Sequence, residues 1–275
     1  VAGVSALAAL DDWPVENVAG AVITASGDIT VHGDADRPYE LASVTKLLVA
    51  EAVLVAVEEG AIDLDDPAGP PGSTVAHLLA HASGLAFGTR DVEAPVGTAR
   101  IYSSAGFEVL AETVEQATEI AFPDYLAGAV CEPLGLTGTA LEGPAGHGAV
   151  STVADLAAFA AELLAPTVLS AGLAARATTV NFPGLDGFVP GYGKHRPNDW
   201  GLGFEIRGHK SPHWTGTTNS PSTFGHFGQA GTFLWVDPEL GAAGVVLTDR
   251  RFGPWAKSLW SGFNDSVVAE LSAGR

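Results

Sequence analysis

Ser43-Val44-Thr45-Lys46 stands at the head of Leu47-Leu48-Val49-Ala50-Glu51-Ala52-Val53-Leu54-Val55-Ala56-Val57, an almost wholly apolar run that ends at Glu58-Glu59-Gly60. The run is long enough for about three to four helical turns, with Gly60 as its stop. A helix that is apolar on nearly every side is a buried one, so the rest of the chain has to be arranged to cover it. Ser43 and Lys46 are three residues apart, and a helix start would project both from one face. A hydroxyl and an amine held together in apolar surroundings make a nucleophile and a base. Burial and the positive helix N-terminus both disfavour the ammonium form, so the amine should release its proton more readily than usual. Of the lysines Lys46, Lys194, Lys210 and Lys257, Lys46 alone has a serine three residues before it. Taken singly, the pattern is also what a serine helix cap followed by a surface lysine would leave.

Composition sets the outer bounds. The 275 residues, 47% of them hydrophobic, suffice for one large domain or two intimately joined lobes with a sizeable core. Asp and Glu total 32 against 13 Lys and Arg, for a formal net charge of −19. That balance argues against nucleic acid and anionic membrane as partners, since both need clustered cations. The single cysteine, Cys131, permits no internal disulfide, and its setting in Leu126-Ala127-Gly128-Ala129-Val130-Cys131 is that of a small buried hydrophobe. Val1 to Leu10 lack a basic start followed by an apolar core, from which a cytoplasmic protein is expected. The longest apolar run carries Glu51 and is too short to span a bilayer.

From the N-terminal side, Val4 to Asp12 reads as a short amphipathic helix. Val18 to Thr24 and Ile29 to His32 read as a hairpin around Ser26-Gly27-Asp28, and the loop Asp34 to Tyr39 leads to Ser43. From Ala61 to about Ala175 the pattern is helical, with segments at Thr74 to His81, Ala105 to Ile120, Pro123 to Glu132 and Thr152 to Leu164, the last capped by Ser151 or Thr152. Residues 182–221, rich in Gly, Pro, Asn and Trp, form a long irregular stretch around one strand, Gly203 to Arg207, and such stretches are often binding elements. Thr223 to Gly228, Gly231 to Val236 and Ala243 to Thr248 return to strand patterning, and Pro254 to Ala273 closes the chain as a helix. The order predicts an α+β fold. One antiparallel sheet is built from both chain ends and flanked by helices, with an all-helical subdomain inserted between the halves. The lobes fall at approximately 1–60 plus 176–275 and 61–175 of one domain.

Three further stretches stand in order with the Ser43 pair. Leu78-Leu79-Ala80-His81-Ala82-Ser83-Gly84-Leu85 follows it. Tyr102-Ser103-Ser104 lies in a turn just before a helix, and His226-Phe227-Gly228-Gln229 lies on a predicted sheet strand. Together the set resembles the serine β-lactamase/penicillin-recognising superfamily, in its branch of class C β-lactamases, DD-peptidases and family VIII esterases. Ser43 to Lys46 matches the family's first motif, Tyr102-Ser103-Ser104 its Tyr-x-Asn motif, and His226-Phe227-Gly228 its Lys-Thr-Gly or His-x-Gly motif. Pro133-Leu134-Gly135-Leu136, Ser151 to Leu156 and Leu234-Trp235-Val236-Asp237-Pro238 also fit, so the resemblance covers about residues 18–250.

The resemblance implies a β-lactamase-like fold and a serine hydrolase that needs no cofactor and no metal. Ser43 would be the nucleophile, Lys46 the base, and Tyr102 an acid/base for leaving group and water. Ser104, His226, Gly228 and Gln229 would bind substrate, with the backbone N–H groups of Ser43 and Gln229 as the oxyanion hole and Gly228 allowing close approach. Two positions depart from the pattern. Ser104 replaces the usual asparagine and has no amide to offer. His226 replaces the lysine common in β-lactamases and is mostly neutral at pH 7, a poorer partner for a β-lactam carboxylate. The departures favour cleavage of an ester or amide, esterase- or peptidase-like, over efficient β-lactam hydrolysis. β-Lactamase or D-Ala-D-Ala carboxypeptidase activity is the alternative, as is a non-catalytic descendant that binds a peptide or cell-wall fragment. The substrate is a small-molecule ester, β-lactam or peptide in each active version.

Other polar clusters have plainer readings. His77 and His81 have zinc-like i, i+4 spacing, but Leu78 stands where a His-Glu-x-x-His protease needs glutamate. His209 and His213 flank Ser211-Pro212 and read as surface histidines. Asp63, Asp65 and Asp66 read as a solvated turn. Trp200, Trp214, Phe188 and Tyr192 either line an acyl pocket or fill a lid core.

Overall fold

Apolar strands at the two ends of the chain pair with each other and share one core with the Ser43 helix. The structure is a computed structural model describing residues 4–274. In chain order the elements are β1 (Val18–Thr24), β2 (Ile29–His32), β3 (Tyr39–Glu40), α1 (Thr45–Glu58), α2 (Val75–Leu79), α3 (Ser104–Thr118), α4 (Phe122–Leu126), α5 (Glu132–Leu134), β4 (Ala140–Leu141), β5 (Ala149–Ser151), α6 (Val153–Leu164) and α7 (Ala171–Ala177). They continue with β6 (Gly187–Val189), β7 (Gly193–His195), β8 (Glu205–Ile206), β9 (Phe224–Gly228), β10 (Thr232–Asp237), β11 (Ala242–Thr248) and α8 (Pro254–Ala273).

The main sheet has the order β2-β1-β11-β10-β9-β8 and is antiparallel throughout. Its seam is β1 on β11, with Val18 opposite Thr248 and Thr24 opposite Ala242. Both faces of the central strands are covered, so alternate residues enter two different cores. Leu234 and Val236 of β10 and Val245 and Leu247 of β11 pack towards α1 and α6. Phe233 and Trp235 of β10 and Val246 of β11 pack towards Trp260, Phe263 and Val267 of α8. Coverage on both sides explains why β10 and β11 are buried at every residue.

The apolar run is α1, buried at every residue from Thr45 through Ala56. The block between the sheet halves is not all-helical: its helices α2 to α7 are joined by irregular stretches, the longest at 80–103, and β4 and β5 join β3 in a small sheet of order β3-β5-β4. Thr152 caps α6 by accepting the Asp155 N–H, and Thr74 accepts from His77 at the start of α2. Val4–Asp12 winds more tightly than an α-helix. It is a 3-10 helix over Ser5–Asp12, whose three-residue turn stacks Leu7 and Leu10 on one buried line. The irregular stretch 182–221 contains, besides β8, the short hairpin β6–β7. No helix among the described residues is long and apolar enough to cross a membrane.

Candidate functional site

Ser43 lies in the 3-10 turn Ala42–Val44 that leads into α1. The residue before it, Ala42, has φ +47°, a left-handed conformation that a side chain adopts only under constraint. The constraint is visible on both sides of Leu41. Its N–H donates to the Ala149 carbonyl of β5 at 2.9 Å, and its carbonyl accepts the Thr232 hydroxyl of β10 at 2.8 Å. Thr45 adds a third tie by accepting the Ala149 N–H at 3.0 Å. The Ser43 turn is thereby pinned between the small sheet and the main one.

Gly228 ends β9 directly against this turn. A Cβ there would stand 2.3 Å from the Leu41 carbonyl oxygen, 2.6 Å from Thr232 Oγ1 and 3.1 Å from the Ser43 nitrogen. Glycine is required by space, and its absence of a side chain brings the end of β9 beside the Ser43 N–H. Gln229 opens the turn towards β10, and its carbonyl accepts the Phe252 N–H at 2.9 Å. In Gly228→Ala the two backbones must part, so labelling of Ser43 by a fluorophosphonate is expected to slow by about 10²-fold, the usual penalty for a displacement near 1 Å. Wild-type labelling rates in that variant would overturn the account.

Lys46 is fully buried. Its Nζ donates to Ser104 Oγ at 3.0 Å and to the Gly146 carbonyl at 2.8 Å, and it stands 4.5 Å from the centre of the Tyr102 ring. Burial pulls its pKa down to about 7, against a smaller opposing pull from Glu108. Ser104, in place of an asparagine, therefore does reach the amine; the shorter arm suffices because α3 begins there and carries it inwards. Gly146 was not among the expected residues. Its N–H donates to Glu108 Oε1 at 2.8 Å, and a Cβ on it would collide with Ser104 Cβ at 2.8 Å. Glycine here lets the carbonyl approach Lys46.

The Tyr102 hydroxyl meets His226 Nε2 at 2.8 Å. Burial raises the phenol's pKa well above its ordinary value; a hydrogen bond from Ser43 opposes this and the Glu205 charge adds to it. Tyr102 is thus a neutral phenol that touches both Ser43 and His226. His81 holds it in place from behind. Its ring packs 4.7 Å from the Tyr102 ring, and its Nδ1 accepts the Ser103 N–H at 3.1 Å. Burial keeps His81 neutral, assisted by Lys46 and other cations nearby. His77 is bonded at Nδ1 to the Thr74 hydroxyl and stacks on Phe182, so the helically spaced pair points to two structural tasks.

His226 is buried on β9. Burial depresses its pKa, and the Glu205 carboxylate only partly restores it. Glu205 Oε2 stands 3.7 Å from His226 Nδ1, beyond hydrogen-bond range but close enough to favour a proton on that nitrogen. Nε2 is then the acceptor for the Tyr102 hydroxyl. Glu205 is the centre of an unexpected buried network. Lys210 Nζ donates to Glu205 Oε1 at 3.0 Å and to the Asp199 and Ile206 carbonyls at 3.0 and 2.7 Å. His213 Nε2 meets the same Oε1 at 2.9 Å, and Trp214 Nε1 donates to Oε2 at 2.9 Å. Burial alone would raise the Glu205 pKa, but Lys210 and His213 outweigh it and hold the carboxyl well below the usual range.

The expectation of a surface His213 is corrected: it is buried because Glu205, sealed inside, must be paired. His209 is exposed, as are Asp63, Asp65 and Asp66. The aromatic residues divide. Trp200 packs 5.2 Å from His226 and 5.9 Å from Tyr102. Trp214 and Tyr192 belong to the core under α8. Phe188, 65% exposed, and Phe87, 59% exposed, line a groove of about 390 Å³ that runs up to Tyr102.

The Beta-lactamase family model matches residues 1–262. A beta-lactamase structure from Mycobacterium bovis is 60% identical, covers 97% of this chain and 99% of its own, and superposes with a TM-score of 0.96. Simvastatin synthase from Aspergillus terreus shares the fold at 16% identity, with 97% of each chain covered and a TM-score of 0.75. EstCE1, a hydrolase with promiscuous acyltransferase activity, does so at 18% identity over 95% of this chain and 96% of its own, with a TM-score of 0.75. Among curated proteins no match was found.

Proposed function

The chain belongs to the Beta-lactamase family, and from that premise we propose that it is a serine hydrolase cleaving small carboxylic esters through an acyl-Ser43 intermediate. The observation that carries the reading is the Lys46 amine. It is buried three residues after Ser43, has a pKa near 7 and is held beside the Tyr102 phenol. A lysine that is half neutral at pH 7 can accept a proton, which an ordinary surface lysine cannot.

The neutral fraction of Lys46 takes the Ser43 proton as Oγ attacks the ester carbonyl. The oxyanion is met by the N–H groups of Ser43 and Gln229, which Gly228 keeps close together. Collapse breaks the ester bond, and the departing alcohol takes its proton from the Tyr102 side. Water then attacks the acyl-enzyme, losing its proton to the same phenol–lysine pair, and Ser43 is regenerated.

Substrate preference follows from charge. The position where a fixed cation would grip a carboxylate holds a buried imidazole whose pKa lies below its ordinary value. The groove beside Tyr102 is lined by the exposed rings of Phe87 and Phe188, and its Lys194 stands 3.9 Å from the Asp186 carboxylate. Both features favour an uncharged ester with an apolar or aromatic acyl group. The hydrolase with acyltransferase activity that shares the fold is in keeping with ester chemistry, and the M. bovis relative's name makes β-lactams the competing substrate.

The test runs p-nitrophenyl butyrate, nitrocefin and a D-Ala-D-Ala peptide side by side across pH. The ester should have a kcat/KM at least 100-fold above nitrocefin. Its profile should rise about tenfold per pH unit and level off above pH 7, because below that value Lys46 carries a proton and cannot accept another. Nitrocefin turned over faster than the ester would overturn the substrate assignment, and a profile flat from pH 5 to 8 the assignment of Lys46.

A further inference from the structure

Helix α1 carries a second buried ionisable group, away from the Ser43 site. Glu51 lies five residues beyond Lys46, about 140° around the helix and roughly 7.5 Å along it. It is 2% exposed and forms one wall of a cavity of about 380 Å³, within the range that takes a compact organic molecule. The other walls include Leu163 of α6, Leu169 just after it, Ala174 of α7, and Phe204, Phe224 and Val236 of the sheet side.

The lining is apolar except for a few polar groups, and its ionisable residues are Glu51 and Glu162. The two carboxyls are unequal. Glu162 accepts from the Thr167 N–H at 2.6 Å, the Thr167 hydroxyl at 2.6 Å and the Val168 N–H at 2.7 Å. Glu51 makes no hydrogen bond or ion pair among the described residues. A buried carboxyl without a partner is costly as a carboxylate. Burial first, and the Glu162 charge second, push its pKa up to about 8. An ammonium group would relieve both effects at once, by pairing with Glu51 and offsetting the field of Glu162. The remaining walls demand an apolar body behind that head group.

We propose that this cavity binds an apolar primary amine, its ammonium paired with Glu51 and its hydrocarbon or aromatic body packed against Leu169, Phe204 and Phe224. The site is separate from Ser43 and does not depend on the ester reading. Pairing converts the Glu51 carboxylic acid to a carboxylate, so a bound ammonium displaces one proton to solvent. Affinity therefore rises with pH up to tenfold per unit while Glu51 is protonated in the free protein, and levels off above pH 8.

Isothermal titration calorimetry of the whole chain with 4-phenylbutylamine at pH 6, 7 and 8 tests this, with 4-phenylbutanol and 4-phenylbutyrate as the uncharged and anionic counterparts. The expected results are a dissociation constant falling about tenfold from pH 6 to 7 and severalfold more to pH 8, with close to one proton released at pH 6.5. The butyrate should not bind. Glu51→Gln, nearly isosteric with the protonated acid, should bind the amine at least tenfold more weakly and without pH dependence. Ala175→Phe, at an exposed position on the cavity rim, should weaken binding too, and both variants should hydrolyse ester at the wild-type rate. The proposal is overturned by no amine binding at millimolar concentration, by equal binding of amine and alcohol, or by a Glu51→Gln profile that still climbs with pH.

Discussion

In the Ser43→Ala variant, ester turnover is expected to fall by about 10⁴-fold or more, with the melting temperature unchanged or slightly raised. Under the proposed function the loss is large because the missing oxygen is the one that would form the acyl bond, and no neighbouring group would replace it. Tyr102, hydrogen-bonded to Ser43, is held as a neutral phenol by burial, and Lys46 is occupied by Ser104 and Gly146. The backbone is untouched, because the turn is held through Leu41 and Thr45 and the strained residue is Ala42. Residual catalysis from the oxyanion N–H groups should survive at a low level. Intact mass after fluorophosphonate treatment supplies the second readout: one adduct in wild type, none in the variant. Activity within tenfold of wild type would place the nucleophile elsewhere.

The largest stability effect is expected at Arg100, two residues before Tyr102. Its side chain is 2% exposed, and its guanidinium donates to four carbonyls, those of Ala80, Asn181, Phe182 and Asn198 at 2.7 to 3.0 Å. One planar fork thus ties the start of the long 182–221 stretch and its middle to the turn before His81. Burial lowers the Arg100 pKa to about 10, opposed in part by Asp199, so the group stays charged at neutral pH. Arg100→Leu strands four carbonyls, each costing about 1–3 kcal/mol when buried and unpaired. A loss on the order of 4 kcal/mol or more in urea unfolding is expected. Arg100→Lys should recover little of it, since a single ammonium cannot span the four acceptors. A loss below about 1 kcal/mol for Arg100→Leu would show that water or local rearrangement satisfies these carbonyls.

The elements legible in the sequence are those whose signal is local. Helix α1 could be read because its apolar run is interrupted only by Glu51, and β9 to β11 because turn residues separate apolar segments. Strands β3, β4 and β5 have two or three residues each, too few for alternation to register. The site divides in the same manner. Ser43, Lys46, Tyr102 and His226 stand in recognisable motifs, and the structure brings them together. Glu205 carries a local signal of its own: it interrupts the apolar Gly203-Phe204-Glu205-Ile206, and a charge in an apolar strand requires a buried partner. Lys210 and His213 follow from that requirement once Glu205 is known to be inside. Gly146 left none, because a carbonyl in Gly143-Pro144-Ala145-Gly146 acquires its role only when tertiary folding carries it to Lys46.

The pairing of β1 with β11 also sets a schedule for the chain as it is made. Val18 finds Thr248 only after some 230 intervening residues have emerged, which at about 5–20 residues per second is roughly 10–50 s. Throughout that interval the β1–β2 hairpin shows an unpaired edge, and the apolar α1 has no sheet to cover it. β9, which supplies His226 and Gly228, arrives near the end of the same wait. A nascent chain therefore carries Ser43 early and the strand that completes the candidate site late. Ribosome-bound intermediates should be inert towards ester, prone to edge-to-edge association, and dependent on holdases until β11 closes the sheet.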